Sequence, residues 1–129
     1  MKKKYRLVRR EDFARVRSEG RSWAHPLLVL YARPNGLPVT RVGVTVSRRL
    51  GKAVVRNRVR RCIREAVRLV YPQIPSGWDL LWIARTGSVA ATFAEIQTAV
   101  RQLLQQAGLL RLPTERLGAA GGPSVAESA

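Results

Sequence analysis

The residues of this chain best suited to chemistry with a partner are arginines, and they are crowded between positions 48 and 68. Nine of the 24 lysines and arginines lie in that segment, together with a single acid, Glu65. A guanidinium group is planar and holds two phosphate oxygens at once or stacks on an exposed base, which a lysine ammonium does not do. This composition favours a structured nucleic acid as the partner over a generic anionic surface.

The same segment has the apolar spacing of a helix, predicted over residues 53–71 and ended by Pro72. At about 100° per residue, its polar side chains share one arc and its apolar side chains lie opposite them. The polar arc comprises Asn57, Arg60, Arg61, Arg64 and Arg68, and the apolar seam comprises Val55, Val59, Ile63, Ala66 and Val70. Like charges four residues apart destabilise a helix by roughly 0.2–0.5 kcal/mol per pair. An external polyanion is therefore expected to relieve this repulsion.

The charge of the whole chain supports the same interpretation. The formal net charge is +16 and the sequence pI is about 11.7. Residues 1–68 hold 20 basic and 4 acidic side chains, whereas residues 69–129 hold 4 of each. A charge run is most often a solvated face, but an excess of this size concentrated in one half indicates a nucleic-acid partner.

Catalytic and metal-binding constellations are missing from the sequence. A two-metal nuclease needs carboxylates that converge within about 4 Å of each other's metals. The eight acids are scattered instead, at Glu11, Asp12, Glu19, Glu65, Asp79, Glu95, Glu115 and Glu127. One histidine, His25, and one cysteine, Cys62, exclude a zinc site built from these two residue types and an internal disulfide. A protein-only nuclease is accordingly disfavoured, and Cys62 is interpreted as a small core residue.

Membrane association is also disfavoured. No apolar run approaches the roughly 20 residues of a spanning helix, and no signal-peptide core follows the lysines at positions 2–4. The basic helix carries no tryptophan or phenylalanine beside its charged face, as a lipid-surface helix would. We expect a cytoplasmic protein with no membrane contact.

The elements that must position the basic helix can be predicted in outline. The predicted order is helix, two strands, long helix, strand and helix, an α+β sandwich with helices on a small sheet. A basic arm, 1–9, precedes a helix that ends near Gly20; the strands lie at 26–33, 41–47 and 78–84; the last helix runs from the capping-box sequence at Thr92 to Gly108. The first two strands are expected to pair as antiparallel neighbours, and the third to lie in mid-sheet. Residues 1–112 form the predicted domain, and 113–129 a disordered Gly/Ala/Pro tail.

The segment 51–65, centred on Arg56-Asn57-Arg58, resembles one family, the protein subunit of bacterial ribonuclease P. The preceding stretch 41–49 and the spacing within 7–13 also fit that family, so the resemblance covers residues 4 to 110 approximately. It implies an α/β sandwich with a small central sheet, a fold also seen in a ribosomal protein. It further implies a left-handed β-α-β crossover through the basic helix, where the usual rule predicts a right-handed one.

The resemblance also implies a function. A catalytic RNA is the partner, and the holoenzyme hydrolyses precursor tRNA to release the 5′ leader. The RNA performs the chemistry with Mg²⁺ that is bound mainly by the RNA, and the protein is expected to supply no catalytic residue and no metal-binding motif. The residues implied to contact the RNA subunit are Lys52, Arg56, Asn57, Arg58, Arg60, Arg61, Arg64 and Arg68, and those implied to line a leader-binding cleft are Phe13, Arg17, Tyr31 and Ser47.

Two positions in that cleft leave alternatives open. Phe13 is about equally well explained as core packing of a short helix. Arg17 stands where the family often has a second aromatic residue, so that a guanidinium plane or a phosphate contact replaces stacking. The alternative function is a ribosomal or chaperone-like RNA-binding protein that uses the same basic helix. Neither hypothesis requires an obligate protein partner.

Overall fold

A computed structural model describes residues 3–110 of the chain. In chain order the elements are a 3₁₀ turn Lys3–Tyr5, helix α1 Arg10–Glu19, strands β1 Arg21–Ala24, β2 Leu28–Pro34 and β3 Arg41–Thr45, helix α2 Ala53–Val70, strand β4 Trp78–Ala84 and helix α3 Phe93–Gln106. Further 3₁₀ turns lie at Arg48–Leu50, Tyr71–Gln73 and Thr86–Val89. The predicted tail, 113–129, lies outside the described residues.

Elements with strong local signals match their predictions closely. The basic helix predicted over 53–71 is α2, and the strand predicted over 78–84 is β4. Helix α3 begins with the predicted capping box, in which the Thr92 hydroxyl accepts from the Glu95 N–H at 3.1 Å and the Glu95 carboxylate accepts from the Thr92 N–H at 2.8 Å. These reciprocal bonds satisfy two backbone donors that the first turn of a helix otherwise leaves unpaired.

The order of the strands differs from the prediction. The four strands are arranged β1-β2-β4-β3, so the expected antiparallel pairing of 26–33 with 41–47 is wrong. Strand β4 lies between them, antiparallel to β2 and parallel to β3. Its side chains Leu80, Leu81 and Trp82 are all fully buried. A strand that is apolar on both faces is best buried at the centre of a sheet, as predicted for β4, and this placement separates β2 from β3.

Strand β1 is not predicted by the sequence patterns. It occupies the edge of the sheet, paired antiparallel with β2, and three of its four residues are exposed. Only Trp23, which sequence patterns do not place, is half-buried and packs against the core. An exposed edge strand has no apolar alternation, so pairing with β2 alone identifies it.

The sheet carries helices on both faces, which confirms the predicted α+β sandwich. Side chains of α2 and α3 meet one face in the main core, built around Leu30, Trp82, Ile63 and Leu103. Helix α1 covers part of the opposite face, where a smaller cluster contains Leu7, Val16 and Leu81. The parallel strands β3 and β4 are joined through α2 in a β-α-β crossover; its left-handed sense stays a prediction from the resemblance.

Candidate nucleic-acid interface

Helix α2 separates its apolar and charged residues as the helical spacing predicts. The predicted seam is buried apart from Val55, which is half-buried, and Val67 joins it. The predicted polar arc faces solvent, with Arg60 half-buried at its edge. Cys62 is half-buried and packs against the core, in agreement with its interpretation as a core residue. One side of α2 therefore anchors the helix to the sheet and leaves the other free to bind a ligand.

Acidic partners are scarce along the exposed side of α2. Among the cations between 48 and 68, all within the described part of the chain, only Arg68 forms an ion pair. Its Nε and Nη2 donate to the two carboxylate oxygens of Glu65 at 2.9 and 2.6 Å. These hydrogen bonds hold the pKa of Glu65 below its ordinary value. The other eight cations form no ion pair with an acid among the described residues, which leaves them available to an external anion.

The three residues of the Arg56-Asn57-Arg58 sequence point to different neighbours. Arg56 Nε donates to the carbonyl of Gly51 at 3.1 Å. Asn57 Oδ1 accepts from Arg60 Nη1 at 2.8 Å, which holds two residues of the predicted arc together. Arg58 Nη2 donates to the carbonyl of Val89 at 2.7 Å, in the 3₁₀ turn before α3. Arg58 therefore lies on a different flank of α2 from Arg60.

A groove of about 400 Å³ runs between α1, β3 and α2. Phe13 and Arg10 line it from the α1 side, and Arg60 lines it from α2; the remaining lining residues are Val8, Val44, Thr45 and Val46. An aromatic side chain and two guanidinium groups in one groove provide a stacking face and two phosphate ligands. The structure thus brings Phe13, from the predicted leader cleft, together with Arg60, from the predicted RNA-binding row.

Phe13 is half-buried, and its position is compatible with core packing and with a surface in the groove. Its ring packs against the cluster of Leu7, Val16 and Leu81, and it also faces the groove. A Cβ built on Gly43 would lie 2.7 Å from Phe13 Cε1, so only glycine at this position of β3 lets the ring sit so close to the strand. The ring is therefore held in place by packing and can still offer an edge or face to a base.

The other residues of the predicted cleft are less tightly grouped. Tyr31 packs against the same small cluster as Phe13, and Arg17 lies over its ring with 5.9 Å between Cζ and the ring centroid. Ser47 caps the 3₁₀ turn after β3, where its hydroxyl accepts from the Arg49 N–H at 3.1 Å. Tyr31, Arg17 and Ser47 are not among the residues that line the groove itself.

A buried ion cluster on the α1 side is not predicted by the sequence patterns. Asp79 is 1% exposed and accepts from Arg41 Nε at 2.9 Å and Nη2 at 2.8 Å, and from Asn35 Nδ2 at 2.9 Å. Arg41 also reaches Asp12 of α1 at 3.4 Å. The hydrogen bonds to Asp79 raise the pKa of Arg41 despite its partial burial. An aspartate inside the otherwise apolar strand 78–84 was the available signal.

Metal and membrane features are lacking in the part of the chain that the structure describes. Among residues 3–110, no group of three or more His, Cys, Asp or Glu side chains could hold a metal ion. Within the same range, no helix is both long and apolar enough to span a bilayer. His25 Nδ1 accepts from the Leu27 N–H at 3.0 Å and so stabilises the turn between β1 and β2.

Comparison with known proteins identifies relatives along nearly all of the described chain. The sequence profile of the family Ribonuclease P matches residues 1–108. The ribonuclease P protein component of Roseiflexus castenholzii is 50% identical over 112 residues, which are 86% of this chain and 92% of that protein. The ribonuclease P protein of Staphylococcus aureus superimposes with a TM-score of 0.77 at 32% identity, covering 83% of this chain and 98% of that one. For the Thermotoga maritima protein the TM-score is 0.72 at 32% identity, with coverages of 78% and 96%.

Proposed function

Because this chain belongs to the ribonuclease P protein family, and so acts in tRNA processing as a subunit of that endoribonuclease, we propose that α2 binds the RNA subunit and that the groove beside Phe13 binds the 5′ leader of precursor tRNA. The observation that carries this proposal is the exposed arginine row of α2. It has one acid partner, Glu65, among the described residues, although it sits on a helix firmly packed into the core.

The RNA-subunit contact is assigned to the cations on and just before α2. An external phosphate backbone supplies the negative charge that the protein itself does not provide along this helix. Among these residues, Arg68 is expected to contribute least to RNA binding, because its guanidinium group already donates to Glu65. The proposed contact residues are Lys52, Arg56, Asn57, Arg58, Arg60, Arg61, Arg64 and Arg68.

The leader is assigned to the α1 side of the sheet. Stacking on an aromatic ring stabilises a bound base by roughly 1–3 kcal/mol without demanding a particular base. This tolerance suits leaders of variable sequence. Phe13 supplies the ring in the groove, Tyr31 packs against the same small cluster with Arg17 over its ring, and Ser47 follows the groove residue Val46 as the cap of the 3₁₀ turn.

The hydrolytic chemistry is assigned to the RNA subunit. Residues 3–110 offer no cluster of carboxylates suited to Mg²⁺, so their donor set does not fit a metal held by protein ligands alone. We assign the Mg²⁺ ions of the holoenzyme mainly to the RNA, and no protein residue to catalysis. A cytoplasmic location and the lack of an obligate protein partner complete the proposal.

Reconstitution with the catalytic RNA tests this function. The purified protein alone is expected to leave precursor tRNA intact, and to stimulate cleavage strongly at low Mg²⁺ once the RNA subunit is added. Equal activity with and without the RNA would contradict the assignment of chemistry to RNA.

A binding comparison separates the proposal from the alternative of a ribosomal or chaperone-like RNA-binding protein. The holoenzyme is expected to bind leader-bearing precursor more tightly than leaderless tRNA, because only the precursor fills the groove at Phe13. Equal affinity of the protein for leaderless tRNA or arbitrary RNA would favour the alternative. The family assignment favours the first outcome.

A further inference from the structure

The N-terminal segment before α1 is fixed to the edge of the sheet. The Leu7 N–H donates to the Val42 carbonyl at 2.9 Å, and Arg6 forms a parallel bridge with Val42 of β3. Leu7 is 5% exposed within the small cluster under α1. Tyr5 stacks at a tilt on Tyr71, with 5.3 Å between ring centroids. Two apolar anchors thus hold the backbone of Arg6 between them.

This attachment determines where the Arg6 side chain lies. Bridge partners project to the same side of a sheet, and successive residues project to opposite sides. Val42 belongs to the main core beneath α2, whereas Leu7 belongs to the cluster beneath α1. Arg6 therefore emerges on the α2 side, at the edge formed by β3, and it is exposed.

Arg6 joins two arginines of α2, Arg60 and Arg64, in one corner of the surface. The pKa of Arg64 lies below its ordinary value, first because its guanidinium is partly buried and next because Arg6 and Arg60 are close to it. Among the ion pairs of residues 3–110, none includes these three arginines. The packing of Leu7, Tyr5 and the apolar seam of α2 keeps the three arginines close together despite their mutual repulsion.

We propose that Arg6, Arg60 and Arg64 together bind neighbouring phosphates of the RNA subunit's backbone, and that residues 5–7 are a fixed part of this interface. The inference rests on the proposed function and adds an arginine that lies 54 positions before Arg60 in the sequence. The corner provides three guanidinium groups, and the half-buried rings of Tyr5 and Tyr71 pack against each other at a tilt. Arg6 and Arg64 are therefore suited to the phosphates of folded RNA, whereas the groove at Phe13, which Arg60 also lines, adds a stacking face suited to a single strand.

The test measures the affinity of the full chain for the ribonuclease P RNA over a range of salt concentrations. Arg6→Gln is expected to weaken binding about two- to fivefold at moderate salt, as for one exposed charge pair. It should also lower the slope of log affinity against log salt by roughly 0.7–0.9, the value for one phosphate that is no longer neutralised. Arg21→Gln is the matched control, because it removes the same charge from β1 at the opposite edge of the sheet. Equal effects of the two variants would overturn the inference.

A second variant tests whether the fixed position of Arg6 matters. Tyr5→Ala keeps every charge and removes the stack on Tyr71, so a smaller loss of affinity than for Arg6→Gln is expected. An unchanged affinity would show that a loose basic arm suffices, which contradicts the fixed interface.

Substrate binding tests whether Arg6 contacts the RNA subunit or the precursor tRNA. In the holoenzyme, Arg6→Gln should leave the preference for leader-bearing over leaderless tRNA unchanged. A loss confined to the leader-bearing substrate would overturn the assignment to the RNA subunit. Failure of the unaltered protein to bind the RNA would instead contradict the proposed function itself, so the two failures are distinguishable.

Discussion

Arginines on the two sides of the sheet differ in what neutralises them. On the α1 side, Arg33 and Arg41 lie opposite the buried Asp79 in the neighbouring strand, in register on either side of it. Glu19 and Asp12 of α1 complete these pairs. On the α2 side, Arg60 and Arg64 have no such partners among the described residues. The same side chain therefore stabilises the fold on one side and remains available for binding on the other.

The difference shows that the placement of acids, rather than of arginines, separates the two roles. Asp12, Glu19 and Asp79 are all engaged by arginines on the α1 side, and α2 retains only Glu65. Paired arginines sit where β2, β3, β4 and α1 meet, so they help to set the position of the helix that carries Phe13. The unpaired arginines sit on a helix that the apolar core already holds.

The largest expected effect comes from breaking the paired side. Arg41→Ala leaves Asp79 buried with only Asn35 and a distant Arg33, at 3.9 Å, to stabilise its charge. Removing one partner of a buried pair costs about 3–5 kcal/mol, and we expect the lower end because Arg41 is itself partly exposed. Arg61→Ala, on the unpaired side, should change the free energy of unfolding by less than about 0.5 kcal/mol. Urea denaturation measures both, and similar losses would erase the proposed distinction.

A second change should act on binding and spare the fold. Arg60→Ala with Arg64→Ala is expected to reduce the salt slope of RNA binding by roughly 0.7–0.9 for each phosphate that the pair neutralises. The unfolding free energy should remain near that of the unaltered protein, since neither substitution leaves an acid without its ion-pair partner. Salt titration of RNA-subunit binding provides the measurement, with Arg21→Ala and Arg101→Ala together as the equal-charge control. An unchanged slope would remove this side of α2 from the interface.

Phe13 lies at the boundary between the two sides and needs a finer pair of variants. Phe13→Leu keeps most of the packing against Leu7 and Gly43 and removes the aromatic face. It should cost part of the roughly 1–3 kcal/mol of one stacked base, seen as weaker binding of long-leader but not short-leader precursor. Phe13→Ala should add a lower melting temperature to that loss. If Phe13→Leu binds both substrates normally, Phe13 is a core residue only.

Sequence patterns predict what depends on neighbours along the chain. The helical spacing of α2, the capping box of α3 and the apolar run of β4 are local signals, and each element is where it was expected. The strand order was not predictable in this way, because a turn-rich link such as 34–38 permits a hairpin without requiring one. Asp79 was the residue that could have indicated the strand order, since it lies in register with Arg33 of β2 and with Arg41 of β3.

The same limit applies to the candidate site. A helical wheel groups Arg60 with Arg64 because both lie on α2, and it separates Arg58, which the structure places against the Val89 carbonyl. It has no means of placing Arg6 or Arg10 beside α2, since their positions depend on the bridge to β3 and on α1. Residues brought together by tertiary contacts were therefore the ones missed.

Replacement of Glu65 has the smallest expected effect and tests the comparison most directly. It removes the acid partner of one arginine, Arg68, and leaves every arginine in place. Glu65→Gln removes the carboxylate that engages Arg68 and is expected to tighten RNA-subunit binding modestly, with a salt slope larger by at most about 0.7–0.9. Glu11→Gln makes the same change in net charge on α1, where no described arginine pairs with Glu11, and should have less effect. Competition binding with both variants at several salt concentrations decides the matter. Equal tightening would mean that total charge governs affinity, and that pairing with an acid does not determine which arginines bind RNA.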